Sequence, residues 1–420
     1  MRRYSCVHAV ATLNVGSGSQ QFSVFTFDDA DLERGVARNP VWEGRIDATA
    51  PHQPPGELIL AIRRGDRRDE LRVPRDASLA EKVQQLIEAA WHAEAGALKG
   101  ADGLDVMGHR VVHGGEAFAT AVAIDPEVEK EIERLGAFAP LHNPPQLEAI
   151  RTGRSCCPWA LPVAVFDTAF HRTLLPEAYV YPGPWSWREQ GIRRFGFHGS
   201  SFRYVYRRAA DLLGQSANPD FRVVICHLGG GCSLAAVRGG KSLDTTMGFT
   251  PLDGIPMCTR SGALDPGILL FLLRGGASVD ELEQTLNKHS GLKGLSGLPG
   301  DTRILLPQAA EGHQGASIAI EVFIHRLRQG IGAMVATLGG VDALVFTDAI
   351  GESEPSIRAR ACEAFAYCGV RIDPVRNQKS VLDSIISADE SAVAVLVVKT
   401  REDWQVATEA YAVYEKKSQR

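Results

Sequence analysis

The chain lacks several features that would assign it to a protein class at once. No stretch of its 420 residues approaches the length of about eighteen apolar residues that a membrane-spanning helix needs. Its formal charge of −5 at pH 7 provides no surplus of positive charge for binding phosphodiester backbones. We therefore expect neither a membrane protein nor a nucleic-acid-binding protein.

Cysteine is present, but without the spacing of a metal site or of a disulfide framework. The eight cysteines include no C-x-x-C pair and only one adjacent pair, Cys156 and Cys157. Disulfide-stabilised domains are short and cysteine-dense, whereas reduced thiols are typical of the cytoplasm. The sequence therefore predicts free thiols and a cytoplasmic protein.

The common catalytic and nucleotide-binding motifs are also missing. The segment from Gly239 to Ser242 reads GGKS, but Ala235 stands where a Walker A motif needs glycine. The chain has no G-x-S-x-G, no H-E-x-x-H and no G-x-G-x-x-G that opens a helix after a strand. These absences argue against a P-loop protein, a serine hydrolase, a zinc protease and a Rossmann dehydrogenase.

What the sequence does contain is typical of a soluble protein with more than one domain. Apolar residues make up 45% of the chain and charged residues 23%. A single hydrophobic core stops growing at about 250–300 residues. A chain of 420 residues is therefore predicted to fold as two or more compact units.

Local patterns predict a mixture of strands and helices. Residues 7–13 and 22–27 read as a hairpin, residues 58–62 and 71–73 as another, and residues 31–53 as loop and edge structure. Ser78 and Glu81 form a capping box before a helix with an amphipathic stripe. Thr400 and Asp403 are predicted to cap a final helix that runs through Ala412.

One pattern occurs twice. An apolar strand enters a turn of small residues at 14–19 and again at 227–233, and each continues as a second strand. Two related halves would explain this repeat, although strand–glycine–strand hairpins are common enough to recur by chance.

The stretch 227–266 contains the densest set of phosphate-compatible groups. Three consecutive glycines follow an apolar run, and Asp244, Thr245, Thr246, Arg260, Ser261 and Asp265 come after them. Glycines let backbone N–H groups approach an anion, and arginine and hydroxyl side chains bind phosphate oxygens. An ordinary glycine-rich hairpin is the alternative interpretation of the glycines alone.

Histidine, arginine and aspartate also recur at the ends of apolar runs. These residues are Arg110, His142, Asp167, His198 and Arg260. Each lies within two residues of glycine, proline or a small polar residue, as functional side chains at strand ends often do. Two arginines and a histidine suit an anionic substrate and an anionic transition state.

Together these residues lie in motifs that resemble the acetate kinase family, within the acetate and sugar kinase/Hsc70/actin superfamily. In chain order the motifs are TLNVGSGS, GHRVVHGGE, APLHNPPQ, VAVFDTAFH, RRFGFHGSS, CHLGGGCSLAAVRGGKSLDTTMGFTPLDGIPMCTRSGALDPG and FTDAIGE. They extend from residue 12 to residue 352.

The resemblance implies an α/β fold of two ribonuclease H-like (actin-like ATPase) domains, each a mixed β-sheet flanked by helices, with an interdomain active-site cleft. Domain I would comprise residues 1–168 and 399–420, and the nucleotide-binding domain II residues 169–398. It further implies a homodimer that transfers the γ-phosphate of ATP reversibly to acetate, giving acetyl phosphate and ADP. The cofactor would be Mg²⁺, with Mn²⁺ as an alternative. The reaction would belong to organic acid metabolism and acetyl-CoA biosynthesis.

The resemblance also implies roles for individual residues. The catalytic set would be Arg110, Asp167, His198, Arg260 and His142, and the acyl-binding set Arg110, Val112, Leu141, Phe197 and Pro251. Asn14 and Glu402 would lie near the metal. The nucleotide-binding set would be His227, Leu228, Gly229, Gly230, Gly231, Asp301, Arg303, Asp348, Ala349, Ile350, Gly351 and Ser353.

Departures from the family pattern are concentrated on the donor side. Gly230 replaces an asparagine, and Asp348, Ala349 and Ser353 change the adenosine loop. Three interpretations stay open: an acetate kinase with ordinary variation, an enzyme with another donor (pyrophosphate or a different nucleotide) or another acceptor (propionate or butyrate), and a catalytically weakened binding or regulatory homologue.

Overall fold

The computed structural model of the chain describes residues 7–16, 18–28, 37–48, 53–91, 98 and 100–419. The chain divides into two compact units, Met1–Phe170 with Arg401–Arg420, and His171–Thr400. The sequence placed the corresponding boundaries after residues 168 and 398.

The first unit is built on an eight-stranded mixed sheet in the order β5-β4-β3-β2-β1-β6-β8-β7. Its strands are β1 His8–Val15, β2 Ser19–Phe27, β3 Trp42–Asp47, β4 Glu57–Arg64, β5 Arg67–Pro74, β6 Val106–Val111, β7 Val122–Ala123 and β8 Leu161–Phe166. Its helices are α1 Leu79–Ala89, α2 Pro126–Arg134, α3 Asn143–Cys156 and, from the C-terminus, Glu402–Ser418.

The predicted hairpins and the predicted capping box of this unit are confirmed. Strand β1 pairs antiparallel with β2, and β4 with β5. At the start of α1 the Ser78 hydroxyl accepts from the Glu81 N–H, and the Glu81 carboxylate accepts from the Ser78 N–H. Strands β1, β6 and β8 run parallel, so their carboxyl ends lie at one edge of the sheet.

The prediction of loop and edge structure for residues 31–53 is wrong for Trp42–Asp47, which form a strand, and is confirmed as loop at 37–41 and 48, while residues 31–36 and 49–52 lie outside the described part of the chain. Strand β3 lies inside the sheet, between β2 and β4. Its side chains alternate, with Trp42 and Ile46 fully buried. The Trp42 ring lies over Gly44, where the ring carbon Cη2 would be 2.3 Å from an added Cβ. The glycine that interrupts the apolar pattern is therefore the residue that makes room for the indole.

The last helix of the chain belongs to the first unit. Trp404 stacks on Phe27 with ring centroids 4.8 Å apart, and Tyr411 is fully buried. The predicted cap is wrong, because the helix begins at Glu402 after Arg401 and no side chain caps it. Thr400 instead donates to Ser201 and Glu352 in the second unit, and the helix continues to Ser418.

The second unit contains a six-stranded mixed sheet in the order β11-β10-β9-β12-β14-β13. Its strands are β9 Arg222–Leu228, β10 Cys232–Arg238, β11 Lys241–Thr245, β12 Ala343–Thr347, β13 Ser384–Ile385 and β14 Ala394–Val397. Its helices are α4 Pro176–Tyr179, α5 Trp185–Glu189, α6 Gly199–Leu212, α7 Pro266–Arg274, α8 Val279–Lys288, α9 Gly291–Ser296, α10 Thr302–Ala310, α11 Gln314–Leu338, α12 Asp348–Ser353, α13 Pro355–Glu363 and α14 Pro374–Gln378; Glu402–Ser418 is then α15.

The centre of this second sheet repeats the arrangement of the first. Strand β9 enters a glycine turn and returns as antiparallel β10, while β12 runs parallel to β9 with Thr347 opposite His227. The second strand–turn–strand pattern is therefore also confirmed. The glycine turn follows β9, and α12 begins directly after the neighbouring strand β12.

Within the part of the chain that the structure describes, no helix combines the length and the apolar character needed to cross a bilayer. The seven cysteines in that part are all free of disulfide bonds.

Gly108 is predicted to be essential for attaching α15 to the first sheet. A Cβ at this position would lie 2.9 Å from the Ala410 Cβ and 3.0 Å from a Val406 methyl. Gly108→Ala should therefore lower the free energy of unfolding by about 1–3 kcal/mol, seen as a lower midpoint in thermal unfolding followed by circular dichroism. Gly103→Ala is the control, because its Cβ would meet nothing within 4 Å. Equal midpoints for both variants would contradict this account.

Candidate active site

The first unit places an arginine among oxygen-bearing side chains at the carboxyl edge of its parallel strands. Arg110 in β6 donates through Nη2 to Asp167 Oδ2 at 2.7 Å, and its Nε lies 3.1 Å from both carboxylate oxygens. Its Nη1 lies 3.3 Å from Asn14 Oδ1 and 3.4 Å from Glu402 Oε2. The side chain of Asp167 is 1% exposed and that of Arg110 is 16% exposed. The fork geometry orients the guanidinium while leaving part of it accessible.

Buried amides fix the backbone that follows Arg110. Gln146 accepts from the Val112 N–H at 2.9 Å, and Asn143 accepts from the His113 N–H at 3.1 Å while donating to its carbonyl at 3.0 Å. The Thr168 hydroxyl accepts from the Gly114 N–H at 3.0 Å. Each contact satisfies a buried backbone group, so the segment after β6 is held in one conformation.

The remaining predicted residues of this unit lie around the same loops. Val112 is buried directly after β6, and His142 precedes α3. Leu141 is 40% exposed, which makes it the most accessible member of the predicted acyl-binding set in this unit.

The second unit places His198 against its central sheet in a constrained conformation. The residue precedes α6 with φ of 59°, a left-handed conformation that side-chain-bearing residues rarely adopt. Its Nδ1 lies 2.8 Å from the Ser233 hydroxyl, and its ring stacks on His227 with centroids 4.1 Å apart. Backbone strain of this kind is retained where the surrounding contacts enforce it, often at functional sites.

The triple-glycine turn forms a shallow cradle beside His198. The Gly229 N–H donates to the Gly231 carbonyl at 3.1 Å, so it is used within the turn. A Cβ on Gly231 would lie 3.2 Å from His198 Nε2 and 3.6 Å from Arg260 Nη1. The space that this missing Cβ leaves is therefore bordered by a histidine and an arginine.

Arg260, unlike Arg110, has no counter-ion in the described part of the chain. Its side chain contacts the Met257 sulfur at 3.9 Å, and burial lowers the pKa of its guanidinium. Within the described residues, no carboxylate lies within ion-pair distance of it. A desolvated positive charge without a partner is costly, so this position favours an anionic ligand.

Arg194 fixes the loop between β11 and Arg260. It donates through Nη1 to the carbonyls of Thr245, Thr246 and Met247 at 2.9, 3.0 and 3.2 Å. The Tyr181 hydroxyl accepts from the Phe249 N–H at 2.8 Å. These contacts hold the segment that leads to Pro251.

Phe197 is held by a buried histidine. His171 Nε2 lies 3.0 Å from the Phe197 carbonyl, and His171 Nδ1 lies 2.8 Å from the Ser242 hydroxyl. Burial lowers the pKa of His171 to about 4, so the ring is neutral at pH 7. It therefore acts in positioning Phe197, which is itself buried.

The predicted nucleotide-binding residues form two groups in this unit: the end of β9 together with α12, and the start of α10. His227 and Leu228 end β9 beside the glycine turn, and the Asp348 carboxylate lies 3.3 Å from His227 Nε2. Ala349, Ile350, Gly351 and Ser353 lie in α12. Asp301 and Arg303 stand at the start of α10, where they form an ion pair and Asp301 caps the helix.

Several positioning residues escaped the sequence analysis. Gln146, Ser201 and Ser233 contact predicted site residues or their backbone. Asn143 and Arg194 hold neighbouring backbone instead, at His113 and at residues 245–247. Each lies within or directly beside one of the quoted motifs. A buried polar residue next to a catalytic motif is the signal that would have identified them, but burial cannot be seen in a single sequence.

Oxygen-bearing side chains surround Arg110, although within the described residues no cluster of three or more His, Cys, Asp or Glu side chains could hold a metal ion. Asp167, Glu402 and Asn14 each place a carboxylate or amide oxygen within hydrogen-bond or ion-pair distance of the Arg110 guanidinium. Mg²⁺ prefers such oxygens and commonly takes only one or two carboxylates, with substrate phosphates and water completing its shell.

Comparison with known proteins identifies the family. A sequence model described as the Acetokinase family matches residues 9–408. The chain belongs to the acetokinase family. It is therefore a kinase, and its chemistry is phosphoryl transfer.

Curated relatives match over nearly their full length. The chain is 45% identical over 404 residues to the acetate kinase of Gloeobacter violaceus, covering 96% of this chain and 98% of the relative. It is 44% identical over 399 residues to the acetate kinase of a Synechococcus strain, covering 95% of this chain and 97% of the relative.

Solved structures agree. The Porphyromonas gingivalis acetate kinase has a TM-score of 0.85 at 32% identity, with 97% of this chain and 99% of that chain covered. The Francisella tularensis propionate kinase has a TM-score of 0.86 at 32% identity, with 97% and 100% covered. With a mixed sheet flanked by helices in each unit, the predicted α/β fold of two actin-like ATPase domains is confirmed.

Gly231→Ala is predicted to impair the kinase reaction, because its methyl group would enter the space between His198 and Arg260. A displacement of this kind in an active site costs about 10²-fold in rate. The measurement is acyl phosphate formation from ATP and acetate at saturating substrate. Gly230→Ala is the matched comparison, since its Cβ would meet nothing within 4 Å, and it should cause a smaller loss. A larger loss of rate in Gly230→Ala than in Gly231→Ala would contradict a role in the reaction for the space beside Gly231.

Proposed function

We propose that the protein is an acetate kinase that transfers the γ-phosphate of ATP reversibly to acetate in a Mg²⁺-dependent reaction, giving acetyl phosphate and ADP by direct in-line transfer. The observation that carries this proposal is Arg260, a half-buried guanidinium with no carboxylate partner among the described residues, beside His198 and the glycine turn. Family membership supplies the reaction class.

The chemistry makes modest demands on the protein. A carboxylic acid with a pKa of about 4 is ionised at pH 7 and is already a nucleophile, so no general base is needed. The carboxylate oxygen attacks the γ-phosphorus, and the bond to the bridging oxygen of ADP breaks. What the enzyme must provide is alignment and stabilisation of charge on the phosphoryl oxygens.

We assign those tasks to the two arginines and the histidines. Arg110, oriented by Asp167, would hold the acceptor carboxylate and the transferring group. Arg260 and His198 Nε2 would stabilise charge on the phosphoryl oxygens, which suits their positions beside the space above Gly231. His142 would act near the phosphoryl path.

Acceptor size would be limited by Val112, Leu141, Phe197 and Pro251. Val112 in the first unit and Phe197 in the second are each buried and supported by hydrogen bonds to their backbone, so each of these side chains is held in place within its own unit. We therefore propose acetate as the acceptor, with propionate as the next candidate to test.

The donor would be bound in the second unit, within residues 169–398. The proposed contacts are His227 to Gly231, Asp301, Arg303, and the α12 residues Asp348, Ala349, Ile350, Gly351 and Ser353. Glycine at position 230 leaves no side chain there to contact a phosphate, so another nucleotide or pyrophosphate is the alternative donor.

The metal would be bound by the first unit, residues 1–168 and 399–420. Asn14 and Glu402 would hold Mg²⁺, or Mn²⁺ in its place, with Asp167 beside them, and the ion would neutralise charge on the donor phosphates. The ion pair with Arg110 orients Asp167 for that task.

Hydroxamate trapping of the acyl phosphate tests the proposal. The wild-type chain should form acetyl hydroxamate with ATP, and GTP and pyrophosphate are assayed in parallel. Arg110→Ala and Arg260→Ala should each reduce turnover by about 10³-fold or more, as loss of a transition-state arginine does. Arg208→Ala is the matched control, since Arg208 pairs with Asp383 at 2.9 Å and has no proposed catalytic role.

Two results would overturn the proposal. Absence of hydroxamate with all three donors would favour a non-catalytic homologue. Near-normal turnover in both Arg110→Ala and Arg260→Ala would show that the charge assignment is wrong.

We also propose a homodimer, and a cytoplasmic location in keeping with the free cysteines. Helix α7 supports the dimer, because its sequence PGILLFLLR has no buried residue and Phe271 is 74% exposed. Apolar surface of this extent usually marks a protein interface.

Phe271→Glu is predicted to convert a dimer to a monomer by placing a charge in that interface. Size-exclusion chromatography with light scattering should give the mass of two chains for the wild type and of one chain for the variant. Tyr367→Glu, at another exposed aromatic residue, is the control and should stay dimeric. A monomeric wild type would contradict the proposal.

A further inference from the structure

The Asp348 carboxylate lies against the glycine turn formed by residues 229–231. Its Oδ2 lies 3.3 Å from His227 Nε2 and only 1.8 Å from where a Cβ on Gly229 would stand. Its φ of 63° is left-handed, one of three such values among the described residues other than glycine. The carboxylate therefore fills the space over Gly229.

We propose that Asp348 is a specificity-determining residue that occupies His227 in the place of a donor phosphate and so weakens the binding of anionic donors. This inference rests on the proposed function, in which residues 227–231 receive the phosphate groups. It changes the role of Asp348 within the nucleotide-binding set from a donor contact to a competitor of the donor.

The hydrogen bonds of His227 leave one ring nitrogen for a ligand, and Asp348 takes it. His227 Nδ1 lies 2.9 Å from the Ser201 hydroxyl, which in turn accepts from Thr400 at 3.1 Å. The other ring nitrogen, Nε2, faces the Asp348 carboxylate at 3.3 Å. The His227 side chain is 5% exposed and that of Asp348 is 29% exposed, so the carboxylate is the accessible member of the pair.

The backbone holds Asp348 in this position. Its N–H donates to Glu352 Oε1 at 3.1 Å, and the same oxygen accepts from the Thr400 N–H at 2.8 Å. Aspartate tolerates the left-handed conformation better than most residues. A phosphate group must therefore displace a fixed carboxylate, and cannot simply enter an open position.

Charges of opposite sign border the turn. Burial raises the pKa of the Cys232 thiol well above its usual value, the negative charge of Asp348 adds to that rise, and the positive charge of Arg260 opposes it. A donor phosphate in this region would be attracted by Arg260 and repelled by Asp348. Like charges brought together in this way reduce affinity and set selectivity.

Calorimetric titration of the full-length protein with ADP and with inorganic pyrophosphate, each with and without Mg²⁺, tests the inference. Asp348→Asn keeps the shape and the tolerance of left-handed backbone but removes the charge. It should bind both probes at least about tenfold more tightly and lower KM for the donor. Asp383→Asn is the matched control, because Asp383 also has a left-handed φ, of 64°, and its carboxylate also contacts a nitrogen-bearing side chain, that of Arg208.

A second variant tests the mechanism of the effect. If Asp348 acts by occupying His227, the tighter binding gained in Asp348→Asn should disappear in the Asp348→Asn, His227→Gln double variant. If the wild type forms acyl phosphate but Asp348→Asn binds the probes no more tightly than the wild type does, this inference is overturned and the proposed function stands. A wild type that neither forms acyl phosphate nor binds either probe would overturn both.

Discussion

A guanidinium that is withdrawn from water is stabilised by an anionic partner, and Arg110 and Arg260, both half-buried, differ in whether they have one. Arg110 has a fixed partner, since Asp167 holds it in a bidentate pair. Arg260 has none among the described residues, and burial lowers the pKa of its guanidinium. The structure around Arg260 therefore keeps a positive charge that a phosphoryl group can neutralise. The left-handed His198, the glycine turn and the anchoring of the preceding loop by Arg194 all maintain that arrangement.

In both units the predicted functional side chains lie at the ends of a similar arrangement of strands. In each, a β-hairpin with a small-residue turn lies beside a parallel neighbour, β1 and β2 beside β6 in the first unit and β9 and β10 beside β12 in the second. Side chains at the carboxyl ends of these strands are Asn14 and Arg110 in one unit, and His227 and Asp348 in the other. Strand ends are well suited to this use, because the sheet fixes their positions while their last residues stay accessible.

A feature of this protein could be predicted from the sequence where it depends on neighbouring residues, and could not where it depends on residues distant in the chain. The strand–turn–strand pattern and the Ser78–Glu81 capping box are local, and both were predicted. Strand β3 was not, because Gly44 interrupts its apolar pattern and its reason for being glycine, the Trp42 ring, appears only in the folded sheet. The same holds for Gln146 and Ser233, whose partners are distant in sequence, and for Thr400, which was predicted to cap α15 but donates to Ser201.

The most direct measurement of the central claim is ³¹P NMR of the product formed from ATP and acetate labelled with ¹⁸O in its carboxylate. Direct attack by the carboxylate on the γ-phosphorus predicts acetyl phosphate whose phosphorus signal shows the isotope shift of a bridging ¹⁸O, together with unlabelled ADP. The absence of acetyl phosphate, or a product signal without that shift, would contradict the account.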